Sequence, residues 1–175
     1  MVQAHRLCLP HTASSKAGDT ALKSLYDVLS RDEASVVIWN GKVKGFAAGT
    51  CSLRAIEKKL PRNLPLITKF KLAVHHVAWP FHLLSRLKWE KMIPKQGAGY
   101  ILTIGVVDRD TPESKGASAK LINGLEEFFK SKGMKESWVD TEAVNKRARR
   151  FYEKHSYIQI AENYFQVLIK KSLTF

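Results

Sequence analysis

Tyr100-Ile-Leu-Thr-Ile-Gly-Val-Val107 runs into Asp108-Arg-Asp-Thr-Pro-Glu-Ser-Lys-Gly-Ala-Ser118, and the reading of this junction decides the fold. The first part is a β-rich apolar run. The second is polar and holds one proline and one glycine. Beyond it, Leu121, Ile122, Leu125, Phe128 and Phe129 recur at the spacing of one helical face. Gly133 is placed to stop that helix. Trp138-Val139 marks a short strand ending near Asp140-Thr-Glu142. Asn145-Lys-Arg-Ala-Arg-Arg-Phe-Tyr152 reads as a second helix. The outline is strand, loop, helix, strand, helix.

A strand that enters a helix through a glycine-containing loop makes an anion site. The first helical N–H groups lack intrahelical partners, and the helix dipole adds partial positive charge. Gly116 lets a ligand approach the backbone, and Ser118 is a candidate cap or phosphate donor. Most such junctions bind nothing, so this signal is weak by itself. Asn145 is a good cap for the second helix. Ala148, Phe151, Tyr152 and His155 share one face of it, with Tyr152 two turns from Asn145. A phenol with an ordinary pKa of about 10 can donate a proton to a leaving thiolate. From spacing alone, Phe151 and Tyr152 read more readily as ordinary core aromatics.

Several segments together resemble the GNAT superfamily of acetyl-CoA-dependent N-acetyltransferases. Ile101-Leu-Thr-Ile-Gly-Val106 is similar to the family's central strand. Glu113-Ser-Lys-Gly-Ala-Ser118 stands where the family has Gln/Arg-x-x-Gly-x-Gly/Ala. Asn145-x-x-Ala148-x-x-Phe151-Tyr152 is close to its Asn-x-x-Ala-x-x-Phe-Tyr pattern, and Val43-Lys-Gly-Phe-Ala-Ala-Gly49 is similar to its third strand. The chain departs from the pattern at Glu113 and Ser118, in a longer loop before Gly116, and at Ser156-Tyr157, where Gly-Phe is common. The family's first strand has almost no room ahead of the first helix.

The resemblance implies an α/β (α+β) fold with a mixed, mostly antiparallel central sheet flanked by helices. It implies one domain over residues 1–175, with a helical insertion at 52–96 between the third and fourth family strands. It also implies an enzyme that moves an acetyl group from acetyl-CoA, its co-substrate, to a primary amine by direct attack in a ternary complex. The pantetheine would pair with the backbone at Ile104, Gly105 and Val106. Backbone N–H groups of Ser114, Lys115, Gly116, Ala117 and Ser118, in the loop that also holds Glu113, would cradle the pyrophosphate. Asn145 would position the pantetheine arm or a water, and Tyr152 would protonate the thiolate. Glu142 and Asp140, near the strand end, are candidate bases, with His155 a third. The acceptor stays open among antibiotics, polyamines, amino sugars, peptide N-termini and protein lysines. Two other classes also stay open: an acetyl-CoA sensor without turnover, and a basic protein on nucleic acid or a membrane surface.

Composition bounds these readings. The 175 residues fit one domain with a real core, and 45% hydrophobic with 26% charged residues describes a globular chain. Against 16 Asp and Glu stand 29 Lys and Arg, giving a formal net charge of +13 and favouring anionic partners. No zinc-ligand spacing or RNA-binding motif supports a specific nucleic-acid partner. No stretch reaches the roughly 18 apolar residues of a membrane span, though peripheral membrane contact and a homodimer remain open. Cys8 and Cys51 have no disulfide-framework spacing and read as reduced thiols, so the expected setting is cytoplasmic.

Upstream, a short helix is expected near residues 5–9. Gly18-Asp19-Thr20 starts an amphipathic helix carrying Ala21, Leu22, Leu25, Tyr26, Val28 and Leu29. Asn40-Gly41 between two β-rich runs predicts a hairpin, with Gly45 and Gly49 marking bulges or close backbone approach. Residues 52–96 contain His75, His76 and His82 and four prolines. They read as a helical insertion shaping the acceptor pocket or as a basic amphipathic surface. No Cys or carboxylate spacing turns the histidines into a metal site. The chain closes with a hairpin around Tyr157-Ile-Gln-Ile160 and Tyr164-Phe-Gln-Val-Leu-Ile169.

Overall fold

A computed structural model describes residues 2–10, 15, 18–32, 34–39, 43–53, 55–56, 92–94, 96–108 and 111–174. The chain runs through helices α1 (Val2–Cys8) and α2 (Asp19–Asp32) into strands β1 (Ala34–Trp39) and β2 (Val43–Thr50). Strand β3 (Ala98–Val106) leads through a 3-10 turn at Pro112–Ser114 into α3 (Ala117–Ser131). Then come β4 (Glu136–Glu142), α4 (Lys146–Lys154), β5 (Ile158–Glu162) and β6 (Gln166–Ser172). The mixed, mostly antiparallel sheet has the order β1-β2-β3-β4-β6-β5, and its one parallel pair is β3 with β4.

Helix α3 covers one face of the sheet. Leu121, Ile122, Leu125 and Phe129 are fully buried against Ala47, Ile101, Val139 and Val167, as the helical spacing predicts. The Phe129 ring lies so close to the strands that a Cβ at Gly99 would come within 2.4 Å of it, and one at Gly49 within 2.7 Å. Gly49 also stands where the β2–β3 register shifts, so the expected bulge and close approach coincide there. On the other face, α1 and α2 pack Ala4, Tyr26, Val28 and Leu29 onto Phe46 and Ala48. Helix α1 is the short helix expected near residues 5–9, and α2 begins at Asp19.

Helix α3 ends as Gly133 foretells. Gly133 takes φ +73°, its N–H bonds the Lys130 carbonyl at 2.8 Å, and the Met134 N–H bonds Phe129 at 2.9 Å. This is a Schellman stop. Its start differs from the expectation for Ser118. Gly116, at φ +77°, occupies the cap position, and Ser118 is the second helical residue. The closing hairpin forms from β5 and β6. Strands β1 and β2 pair antiparallel as expected, while the predicted turn at Asn40-Gly41 lies outside the described residues. Most of the predicted 52–96 insertion, including its histidines, lies outside them too.

Candidate active site

The site begins with a break between two strands. The β3–β4 ladder has four residue pairs, from Ala98↔Glu136 to Ile101↔Val139. Both strands continue past it, to Val106 and to Glu142. The cause is visible on the other edge of β3. Gly49 pairs with Ile101 but Ala48 pairs with Thr103, so Leu102 is an extra residue in β3. A bulge of this kind bends its strand and increases the local twist. It turns the outer half of β3 away from β4 and opens a fork.

The parallel arrangement places both strand ends at the mouth of the fork. Strand β3 leaves it toward the α3 turn, and β4 leaves it toward α4. The α3 turn is stitched by Ser114, whose buried hydroxyl donates to the Asp108 carbonyl at 2.8 Å and contacts Thr111 Oγ1 at 3.0 Å. The Ser114 and Lys115 N–H groups bond the Thr111 and Pro112 carbonyls at 3.0 and 3.1 Å. Of the five N–H groups expected to cradle a pyrophosphate, these two are already committed within the turn. Those of Gly116, Ala117 and Ser118 have no hydrogen-bond partner among the described residues. A Cβ on Gly116 would meet nothing within 4 Å, so the backbone there is open to approach.

On the β4 side, Asn145 caps α4, with its side-chain oxygen accepting from the Ala148 N–H at 3.0 Å. Its amide nitrogen and the second lone pair of its oxygen remain for a ligand. Tyr152 is buried between Phe151 and Tyr157, at ring separations of 5.2 and 5.4 Å. Burial raises the Tyr152 phenol well above its usual range, and the Asp140 carboxylate adds to the effect. His155 is half-buried and tilts onto Phe151 at 4.7 Å.

The two carboxylates near the strand end differ. Glu142 is exposed at the last residue of β4. Asp140 is half-buried, and its two oxygens accept from the Tyr100 hydroxyl and from Gln166 Nε2, the latter at 2.9 Å. Tyr100 and Gln166 converge on this carboxylate, a juxtaposition that sequence spacing does not predict. The available signal was a tyrosine within an apolar strand. Among the basic residues of α4, Arg149 is already engaged. It bonds Glu162 at 3.0 and 3.2 Å and Gln159 at 3.0 Å, fastening α4 to β5. Lys146, Arg147 and Arg150 are exposed.

Among the described residues, no three His, Cys, Asp or Glu side chains are grouped to hold a metal ion, and no helix is long and apolar enough to cross a membrane. The sequence profile of the Acetyltransferase (GNAT) family matches residues 3–157. The chain belongs to the GNAT acetyltransferase family. None of the curated proteins matches its sequence.

Solved structures share the GNAT fold at low identity. The ribosomal-protein-S18-alanine N-acetyltransferase of Escherichia coli superposes with a TM-score of 0.60 at 12% identity, over 99% of this chain and 86% of that one. The IAA acetyltransferase of Bacillus cereus gives 0.54 at 13% identity, over 98% and 91%. The PaiA N-acetyltransferase of Thermoplasma acidophilum, solved in complex with coenzyme A, gives 0.53 at 13% identity, over 86% and 68%.

Proposed function

We propose that this protein is an N-acetyltransferase that moves the acetyl group of acetyl-CoA to a primary amine by direct attack in a ternary complex. The observation that carries this reading is the fork between β3 and β4, with the Gly116 turn and the Asn145–Tyr152 segment both at its mouth. A parted strand edge accepts an extended ligand as an added strand. The pantetheine of acetyl-CoA has amides to pair with β3 at Ile104, Gly105 and Val106. The N–H groups of Gly116, Ala117 and Ser118 suit its pyrophosphate, aided by the α3 dipole. The side chain of Asn145, through its amide nitrogen, holds the arm between them.

The acceptor must shed a proton before its nitrogen can attack. In this reading Asp140 takes it, because Tyr100 and Gln166 hold that carboxylate at the fork while Glu142 stands exposed at the strand end. The amine nitrogen then bonds to the acetyl carbon. The carbon–sulfur bond breaks, and the nitrogen loses its second proton as the amide forms. The departing thiolate accepts a hydrogen bond, and finally a proton, from Tyr152, which that second proton replaces through solvent while Asp140 releases its own. Like any tyrosine, Tyr152 is protonated at neutral pH; its raised pKa makes the hydrogen bond to the thiolate the first contribution, with the proton following only as the thiolate leaves.

The test is release of free CoA thiol from acetyl-CoA over a panel of polyamines, amino sugars, N-terminal peptides and lysine peptides. The reading expects turnover with at least one class, lost in Asp140→Asn and retained in Glu142→Gln. Binding of acetyl-CoA without thiol release across the panel would replace it with a sensor that does not turn over.

A further inference from the structure

The Thr103 side-chain oxygen is buried with no hydrogen-bond partner. Leaving a buried hydroxyl unpaired costs about 1–3 kcal/mol, so a folded protein rarely keeps one without a use. The position of this one is informative. It lies directly after the extra residue Leu102, at the point where β3 has left β4. Its cross-strand neighbour Ala48 packs in the α1–α2 cluster with Phe46 and Leu29, whereas Ile104 packs toward α3. Thr103 therefore faces the α1–α2 side of the sheet. Tyr100 and Trp138 pack together on that same side, and Tyr100 reaches Asp140 there.

The order of groups along β3 indicates what reaches this hydroxyl. On the reading above, on which this inference rests, the pyrophosphate lies at the Gly116 turn and the pantetheine runs inward past Val106 and Ile104. An added strand advances roughly 3.3 Å per residue. The inner end of the ligand, its acetyl thioester, then falls beside Leu102 and Thr103, at the apex of the fork. A thioester carbonyl is an acceptor without a donor, and Thr103 is a hydroxyl without an acceptor.

We propose that the Thr103 hydroxyl is an acetyl-recognition group that donates a hydrogen bond to the thioester carbonyl oxygen of acetyl-CoA. It would distinguish acetyl-CoA from the free CoA product and hold the carbonyl oxygen as negative charge grows on it during attack. No described residue competes for this hydroxyl. Replacing it with a methyl group therefore costs the apo fold nothing and removes only the ligand contact.

The experiment is calorimetric titration of wild type, Thr103→Val and Thr103→Ser with acetyl-CoA and with CoA, alongside thermal melting of each. One neutral hydrogen bond corresponds to a change of up to about tenfold in affinity. Thr103→Val should bind acetyl-CoA up to about tenfold more weakly, bind CoA as the wild type does, and melt no lower. Thr103→Ser should restore the preference. If Thr103→Val keeps the wild-type ratio of acetyl-CoA to CoA affinity, the assignment is overturned while the cofactor reading stands. If it melts lower and loses both ligands equally, the hydroxyl is structural and the assignment also falls. A wild type that binds neither ligand removes the cofactor reading and this inference together.

Discussion

Tyr100 donates its hydroxyl hydrogen to the Asp140 carboxylate across the seam where β3 and β4 separate. Tyr100 sits on the third of the four rungs of the parallel ladder and Asp140 one residue past its end, and Gln166 of β6 holds the second carboxylate oxygen at 2.9 Å. As the proposed base, Asp140 is fixed from two sides and loses little freedom when substrate arrives. Tyr100→Phe frees one oxygen and should lower kcat by roughly tenfold, with acetyl-CoA affinity unchanged. In the proposed reaction Asp140→Asn removes the base itself and should cost at least roughly a hundredfold. Steady-state kinetics on the best acceptor of the amine panel separates the two effects.

Tyr152 is predicted to stay protonated well beyond the ordinary tyrosine range, because burial and the Asp140 charge both oppose its ionisation. Tyr152→Phe should lower kcat by roughly a hundredfold while acetyl-CoA affinity holds. Ultraviolet titration of the folded protein should show fewer tyrosinates forming near pH 10 than it has tyrosines. An unchanged kcat in Tyr152→Phe removes this residue from the chemistry.

The α3 packing makes a prediction about stability. A methyl at Gly99 would overlap the Phe129 ring at 2.4 Å, in a core where Phe129 is fully buried. Gly99→Ala should destabilise by about 3 kcal/mol in urea unfolding. Adding Phe129→Leu makes room, so the double variant should lose less than the sum of the two single losses.

Ser156 adopts φ +66° after α4, where its N–H bonds Glu153 and the Tyr157 N–H bonds Tyr152, both at 3.0 Å. This is a Schellman stop built on serine at a left-handed position, which costs a residue with a side chain roughly 1 kcal/mol or more. Ser156→Gly is expected to raise the unfolding free energy by about 1 kcal/mol and leave ligand binding unchanged.

His5 gives the fold an acid limit. It is buried against Phe46, with Nδ1 at 2.7 Å from the Tyr26 hydroxyl, and burial pushes its pKa down to about 4. An unfolded histidine titrates near about 6.5. The unfolded chain therefore binds a proton first. The stability contributed by neutral His5 is complete above that pH and drains away as pH falls toward 4. Linkage puts the loss at pH 4 on the order of 3 kcal/mol. Urea titrations at pH 7 and pH 4.5 should show it, and His5→Gln should flatten the dependence.

Much of the fold could be read in the sequence because local signals agreed with the tertiary ones. The α3 face, the Gly133 stop, the Asn145 cap and the closing hairpin each follow from spacing or turn chemistry. The fork was harder to read. A bulge at Leu102 is a register event between two strands, and no residue type announces it. The convergence of Tyr100, Asp140 and Gln166 depends on the neighbour order β3-β4-β6, which joins residues far apart in the chain. Ser118 resembles a cap in the sequence, but the backbone turns at Gly116, where only a glycine takes φ +77° without strain. Arg149 resembles a free cation on a basic helix until β5 brings Glu162 beside it.

On the proposed function, acetyl-CoA binds along the fork with its pyrophosphate at the Gly116 turn. Calorimetric titration of acetyl-CoA into wild type, Gly116→Asn and Gly116→Asp tests it most directly. Asn and Asp both tolerate a left-handed backbone, so the pair separates added charge from strain. Micromolar binding by the wild type, kept within a few-fold by Gly116→Asn and weakened at least about tenfold by Gly116→Asp, is the predicted result. No binding by the wild type, or equal binding by Gly116→Asp, would contradict it.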